Sequence, residues 1–257
     1  MENKTEKIAI LVDGDNAQAK LLKAILEEVS KYGKVTVRRI YGDWTVPHMN
    51  SWKDILNDLS FNPIQKFSYT TGKNSTDSSL IIDAMDILHD KIVDGFCIVS
   101  SDSDYTGLAK RIREEGIFVM GIGVKKTPKA FVQSCEIFTF CENISPDLVT
   151  PVPIETSAKS VPKAKKGKKP SFPNLDLELI NKAYEMSISE GNETHISNIG
   201  INLRKIEPSF DARAFGFKNL TQLFSSLKNF EIINNESGGL NHPLVKKKST
   251  TIHRKAT

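Results

Sequence analysis

Gly95-Phe96-Cys97-Ile98-Val99 runs without a polar side chain into Ser100-Ser101-Asp102-Ser103-Asp104-Tyr105. An unbroken apolar run reads as a strand covered on both faces of a parallel sheet, and the two acids mark the point where it gives way to a helix. The same arrangement occurs near the start of the chain, where Ile8-Ala9-Ile10-Leu11-Val12 meets Asp13-Gly14-Asp15-Asn16. Between them, Thr76-Asp77-Ser78-Ser79-Leu80-Ile81-Ile82-Asp83 opens a helix with further acid. In an open parallel α/β sheet the carboxyl ends of the strands lie along one edge, so these distant groups are expected to converge.

Working outward, apolar strands near 7–13, 34–41, 62–68, 94–100, 117–122 and 136–140 alternate with helical patterns near 16–31, 51–60, 77–90, 104–115 and 128–134. That alternation predicts an α/β fold: a Rossmann-like, mostly parallel sheet sandwiched by helices over residues 1–144. Asp77 and Asp104 are expected at helix starts. Residues 145–173 are rich in Pro, Lys and Ser and read as a flexible linker. Beyond it the pattern changes. Helices opening at Asp176-Leu177, Ile196-Ser197 and Leu220-Thr221 precede a strand Phe230–Ile233, a turn Asn234–Gly239 and a returning run Leu240–Val245, which describes a small winged helix over 174–246. A basic tail, 247–257, follows.

The net charge of +4 is unevenly placed. Residues 1–150 carry 18 basic and 21 acidic groups, and residues 174–243 carry 6 and 9. The positive excess sits in 151–173, with six lysines against Glu155, and in 244–257, with five basic groups and no acid. Such segments are natural contacts for a polyanion, and they also occur as plain solvated spacers. No apolar run approaches the roughly 20 residues of a membrane span, and Met1–Lys7 lacks the apolar stretch of a secretory signal. A cytoplasmic location is expected. Cys97, Cys135 and Cys141 are odd in number and without metal-ligand spacing, so all three read as core thiols.

Clustered carboxylates repel one another, and a divalent cation with oxygen ligands, Mg²⁺ or Mn²⁺, is the usual relief. Phosphodiester hydrolysis needs an activated water, a phosphorus relieved of negative charge and a stabilised leaving oxygen, all of which such ions supply. The candidate ligands are Asp13, Asp77, Asp102 and Asp104, with Asn16 as a polar companion and Asp83 in support. Each has a structural alternative. Asp77 and Asp104 suit helix N-caps, and Asp15 suits a turn beside Gly14. Asp13, closing a five-residue apolar run, has no such reason to be there. The five histidines, His48, His89, His195, His242 and His253, lie away from the acidic strand ends in sequence, and no GxSxG elbow occurs. A glycine-rich dinucleotide turn is absent after the first strand. A haloacid-dehalogenase-like phosphotransferase, which also places aspartates there, is the minority alternative.

These residues resemble the NYN domain, in the LabA-like branch of the PIN-like nuclease superfamily. The resemblance rests on Ile8–Asn16, Lys73–Ala84 and Val99–Tyr105, with Gly121-Ile122-Gly123 and Glu136–Phe140 fitting the last strands. It implies a PIN-like fold and an Mg²⁺- or Mn²⁺-dependent ribonuclease site whose acidic positions fall on Asp13, Asp77, Asp102 and Asp104, with Asn16 beside them. Thr76 stands where many members carry a hydrophobic residue, and Ser101 where many carry glycine. Downstream, Ile196–Gly200, Leu203–Ile206 and Phe215-Gly216-Phe217-Lys218-Asn219-Leu220 resemble the OST-HTH/LOTUS domain, a winged helix associated with RNA.

The expected activity is endonucleolytic hydrolysis of RNA, with RNA, single-stranded or structured, as the partner. Lys73, Arg38, Arg39, Lys125 and Lys126 are candidates to line the RNA path. In the second domain Lys205, Lys218, Arg213 and Lys228 are candidate backbone contacts, with Gly238 and Gly239 in the wing. The alternative is an adaptor that binds RNA or a protein without cutting; self-association and a protein partner of the second domain stay open.

Overall fold

A computed structural model describes residues 6–67, 75–145, 175–188, 192–237 and 240–248. The chain divides into two compact units, residues 1–155 and 156–257. Lys73, Gly238, Gly239 and nearly all of the expected linker and tail lie outside the described residues.

The first unit is built in chain order from β1 (Lys7–Asp13), α1 (Leu22–Val29), β2 (Lys34–Gly42), α2 (Lys53–Asp58), β3 (Asn62–Gln65), α3 (Ser75–Asp90), β4 (Gly95–Val99), α4 (Thr106–Glu114), β5 (Phe118–Gly123), α5 (Lys129–Ser134), β6 (Ile137–Phe140) and α6 (Cys141–Ile144). All six strands are parallel, in the order β3-β2-β1-β4-β5-β6. The order reverses between β1 and β4, which opens a crevice at their carboxyl ends.

The unbroken apolar strands are explained by two cores. Ala9 and Leu11 of β1 pack with Leu80, Ala84, Leu108, Ile112 and Phe131, while Ile8, Ile10 and Val12 pack with Leu22, Ile25, Val29 and Leu56 on the opposite face. Each such Leu or Ile side chain taken from water contributes about 1.5–3 kcal/mol before entropy is counted. By the same alternation Asp13 continues the Ala9–Leu11 face, toward α3 and α4.

Several elements differ from the sequence reading in extent. The first helix starts at Leu22, after a 3₁₀ turn Ala19–Leu21, and not at 16. The Asp13 carboxylate accepts the backbone N–H groups of Asp15 and Asn16, which holds that segment as a turn. The helix expected at 104 begins as a 3₁₀ turn Ser103–Tyr105 capped by Asp102, whose Oδ1 accepts the Asp104 N–H at 3.0 Å. Asp102 is therefore the cap, and Asp104 lies inside the turn. A further 3₁₀ turn, Pro47–Trp52, leads into α2.

The second unit has α7 (Leu177–Glu185), β7 (Glu193–His195), α8 (Ile196–Ile206), α9 (Leu220–Ser226), β8 (Phe230–Ile233), β9 (Glu236–Ser237), β10 (Leu240–Asn241) and β11 (Leu244–Lys247). Asp176 and Asn219 cap α7 and α9. β11 pairs antiparallel with β8, with Leu244 opposite Ile233, and β9 with β10. Asn241 stands opposite Glu236, so the wing keeps one register along its length. The third strand, β7, pairs with β11; at three residues it is too short to show a period in sequence. Tyr184, Phe224 and Phe230 meet edge to face in the core, with ring centroids 5.2 Å apart in both pairs. Gly200 lets α8 approach α9, since a Cβ there would lie 2.7 Å from Leu220 Cδ1. Among the described residues no helix is long and apolar enough to cross a membrane.

A candidate acidic centre at the crevice of the sheet

The floor of the crevice is Asp13, fully buried at the end of β1. Its Oδ2 accepts the Asn16 Nδ2 group at 2.7 Å and the Ser100 hydroxyl at 2.9 Å. Burial outweighs these bonds and raises its pKa above the ordinary carboxylate value. Ser100 in turn accepts the Asp102 N–H at 3.1 Å, so the ends of β1 and β4 are tied through one hydroxyl.

Above the floor stand three carboxylates from two segments. Asp77 sits in the first turn of α3, and Asp102 and Asp104 follow β4. One oxygen from each lies within 4.8 Å of the others. The Asp77 pKa is raised, chiefly by burial, with the nearby charges of Asp102, Asp104 and Asp15 adding to it. The Tyr105 hydroxyl opposes that shift by donating to Asp77 Oδ1 at 2.6 Å. Three hard carboxylate oxygen donors gathered this closely in a crevice fit a divalent cation such as Mg²⁺ or Mn²⁺.

The structure brings Asp77, Asp102 and Asp104 together, with the buried Asp13, held by Asn16, near enough for the Asp77 charge to act on it. Lys125 and Lys126 are exposed just beyond β5, at the same edge of the sheet. Arg38 lies within β2 and donates to the Leu59 carbonyl at 2.7 Å. Arg39 pairs with Asp83, which also accepts the Tyr41 hydroxyl; that cluster braces α3 against β2. In the second unit Lys205 and Lys218 are exposed at the end of α8 and ahead of α9, Lys228 is exposed beyond α9, and Arg213 pairs with Asp211.

Four participants escape the sequence reading. Tyr105 appears there only as the last residue of the Val99–Tyr105 stretch, and only the fold turns its hydroxyl to Asp77. Asp15 reads as a turn residue, yet its Oδ2 accepts the Thr76 hydroxyl at 2.8 Å, a contact spanning 61 residues. Thr76 thereby joins α3 to the turn after β1. His48 lies 3.3 Å from Asp15 Oδ1, although nothing in its sequence neighbourhood points to the acids.

A parallel sheet of this order, with carboxylates at its crevice, defines a PIN-like α/β domain. The chain belongs to the NYN domain family, whose model matches residues 7–144, and carries an OST-HTH/LOTUS domain, matched over residues 177–242. This pairing fits a nuclease that binds RNA. No curated protein matches the sequence. Among solved structures, a protein of unknown function from Vibrio parahaemolyticus is 23% identical, covers 55% of this chain and 95% of its own, and superposes with a TM-score of 0.45. An uncharacterized protein from Nitrosomonas europaea is 20% identical, with coverages of 39% and 99% and a TM-score of 0.31. MurG of Acinetobacter baumannii is 12% identical, with coverages of 72% and 56% and a TM-score of 0.36.

Proposed function

We propose that this chain is a divalent-cation-dependent endoribonuclease of the LabA-like branch, acting in the cytoplasm and guided to RNA by its second domain. The observation that carries this reading is the placement of Asp77, Asp102 and Asp104 oxygens within 4.8 Å of one another at the crevice. Mg²⁺ or Mn²⁺ bound there supplies charge neutralisation at the phosphate and an acidified water. Asp77, Asp102 and Asp104 hold the ion. Asp13 organises the floor, fixing Asn16 and Ser100 through its Oδ2. Tyr105 keeps Asp77 aimed at its neighbours. Lys125 and Lys126, at the same edge, meet the RNA backbone. The lysines of 151–173, with Lys205 and Lys218 of the winged helix, add affinity that falls steeply with salt. Three free, buried cysteines suit a reducing compartment.

The test is incubation of labelled single-stranded and structured RNA with Mg²⁺, Mn²⁺ or EDTA, followed by analysis of the new ends. Hydrolysis by water leaves a 5′-phosphate and a 3′-hydroxyl, and EDTA abolishes it. A 2′,3′-cyclic phosphate, formed without metal, contradicts the mechanism. RNA bound but uncut in every metal replaces the nuclease with an adaptor.

A further inference from the structure

His48 is mounted with more care than a solvated surface histidine requires. It sits in the 3₁₀ turn Pro47–Trp52, a turn anchored in the core by Met49 and Trp52, which are 1% and 2% exposed. Met49 occupies room that two glycines leave: a Cβ on Gly14 would lie 2.9 Å from Met49 Cε, and one on Gly42 2.5 Å. Trp44 anchors the segment's start, its Nε1 donating to the Ile64 carbonyl at 3.1 Å and its N–H to Gln65 Oε1 at 3.0 Å. The outcome is an imidazole 61% exposed, with Nε2 3.3 Å from Asp15 Oδ1. Asp15 is held in place by Thr76, and its charge acts on both Asp13 and Asp77. His48 thus meets Asp15 through one ring nitrogen while most of its imidazole faces solvent, and Asp15 is the side chain between it and the acidic centre. That is the arrangement of a general acid steadied by a carboxylate.

We propose that His48, oriented by Asp15, is a further catalytic residue that protonates the leaving 3′ oxygen of the RNA phosphodiester. This rests on the nuclease reading above. The oxygen of the attacking water bonds to phosphorus, the bond from phosphorus to O3′ breaks, and its electron pair stays on O3′. That oxygen takes the proton from Nδ1 of the His48 imidazolium. The proton lost by the water passes to solvent, from which His48 is recharged. Carboxylates that would hold a cation would carry no proton to give, whereas a solvent-exposed imidazole does, and its proton would add to what a cation supplies at the leaving oxygen.

The experiment compares the full-length wild type, His48→Gln and Asp15→Asn on ordinary RNA and on RNA carrying sulfur at the bridging 3′ position, whose thiolate leaves without a proton. RNA affinity is measured in parallel in EDTA. On ordinary RNA we expect His48→Gln to lower kcat about 100-fold and Asp15→Asn to lower it less, with affinity unchanged. On the sulfur-bridged RNA both variants should cut at the wild-type rate. Equal deficits on both substrates, no deficit on either, or a loss confined to RNA affinity overturns the proposal while leaving the nuclease intact. A wild type that cuts neither substrate overturns both.

Discussion

Tyr105 donates its hydroxyl to Asp77 Oδ1 at 2.6 Å, which joins the turn after β4 to the first turn of α3. The ring is fully buried and lies 6.3 Å from that of Phe131. Burial and the charges of Asp13 and Asp77 push the phenol's pKa up, so the hydroxyl remains a donor at any working pH.

Tyr105→Phe keeps the ring packing and removes only that donor. We expect an unchanged fold by circular dichroism and a loss of about 10- to 100-fold in Mn²⁺ affinity, the usual scale for a residue that orients a ligand. Isothermal titration with Mn²⁺ reads it. Unchanged affinity would show that Asp77 needs no such support.

Asp77 also gives a pH prediction whose sign is the reverse of the ordinary carboxylate case. Its folded pKa lies above the unfolded value of 3.8, so the folded chain binds the proton more readily. Stability from this group is therefore gained as pH falls through the raised value and is lost again as pH rises. In EDTA at pH 7, Asp77→Asn should melt higher than wild type, and the difference should shrink as the pH is lowered through the raised value toward 3.8. A variant that melts lower at pH 7 would contradict the electrostatic account.

Adding Mg²⁺ or Mn²⁺ should invert that order. A cation that binds the folded chain at 100 times its Kd stabilises it by about 2.7 kcal/mol. Thermal melts of wild type should rise with the metal, and those of Asp77→Asn and Asp102→Asn should stay flat. A rise of equal size in all three would place the ion elsewhere.

Asp83 serves the fold, receiving Arg39 and the Tyr41 hydroxyl across β2 and α3. Asp83→Ala leaves both donors without their acceptor and should cost about 1.5–3 kcal/mol, the range for hydrogen bonds to charged groups. Urea denaturation measures it. The cleavage rate per folded molecule should not change.

The β-α alternation and the apolar runs of β1 and β4 made the sheet legible from sequence, because short apolar runs alternating with helical patterns fit strands buried on both faces. The acids at the ends of β1 and β4 were legible for the same reason, since a carboxylate closing a buried run has little structural use. Thr76, Tyr105 and His48 were not. Neither Thr76 nor Tyr105 carries a pattern of its own in the sequence, and the fold alone turns their hydroxyls onto Asp15 and Asp77. His48 is separated from Asp15 by 33 residues and sits next to Met49, whose terminus fills the room that Gly14 and Gly42 leave. The assignment of the cap to Asp102 and not Asp104 depends on one backbone N–H direction, which spacing does not encode.

The most direct measurement is single-turnover cleavage of one labelled RNA in Mn²⁺ by wild type and by Asp102→Asn, with folding of both verified. Losing one ligand of a cation that supplies several kcal/mol of transition-state stabilisation should slow cleavage by about 100-fold or more, and EDTA should stop the wild type. Cleavage by Asp102→Asn at the wild-type rate, or wild-type cleavage that survives EDTA, would contradict an acidic centre that works through a bound cation.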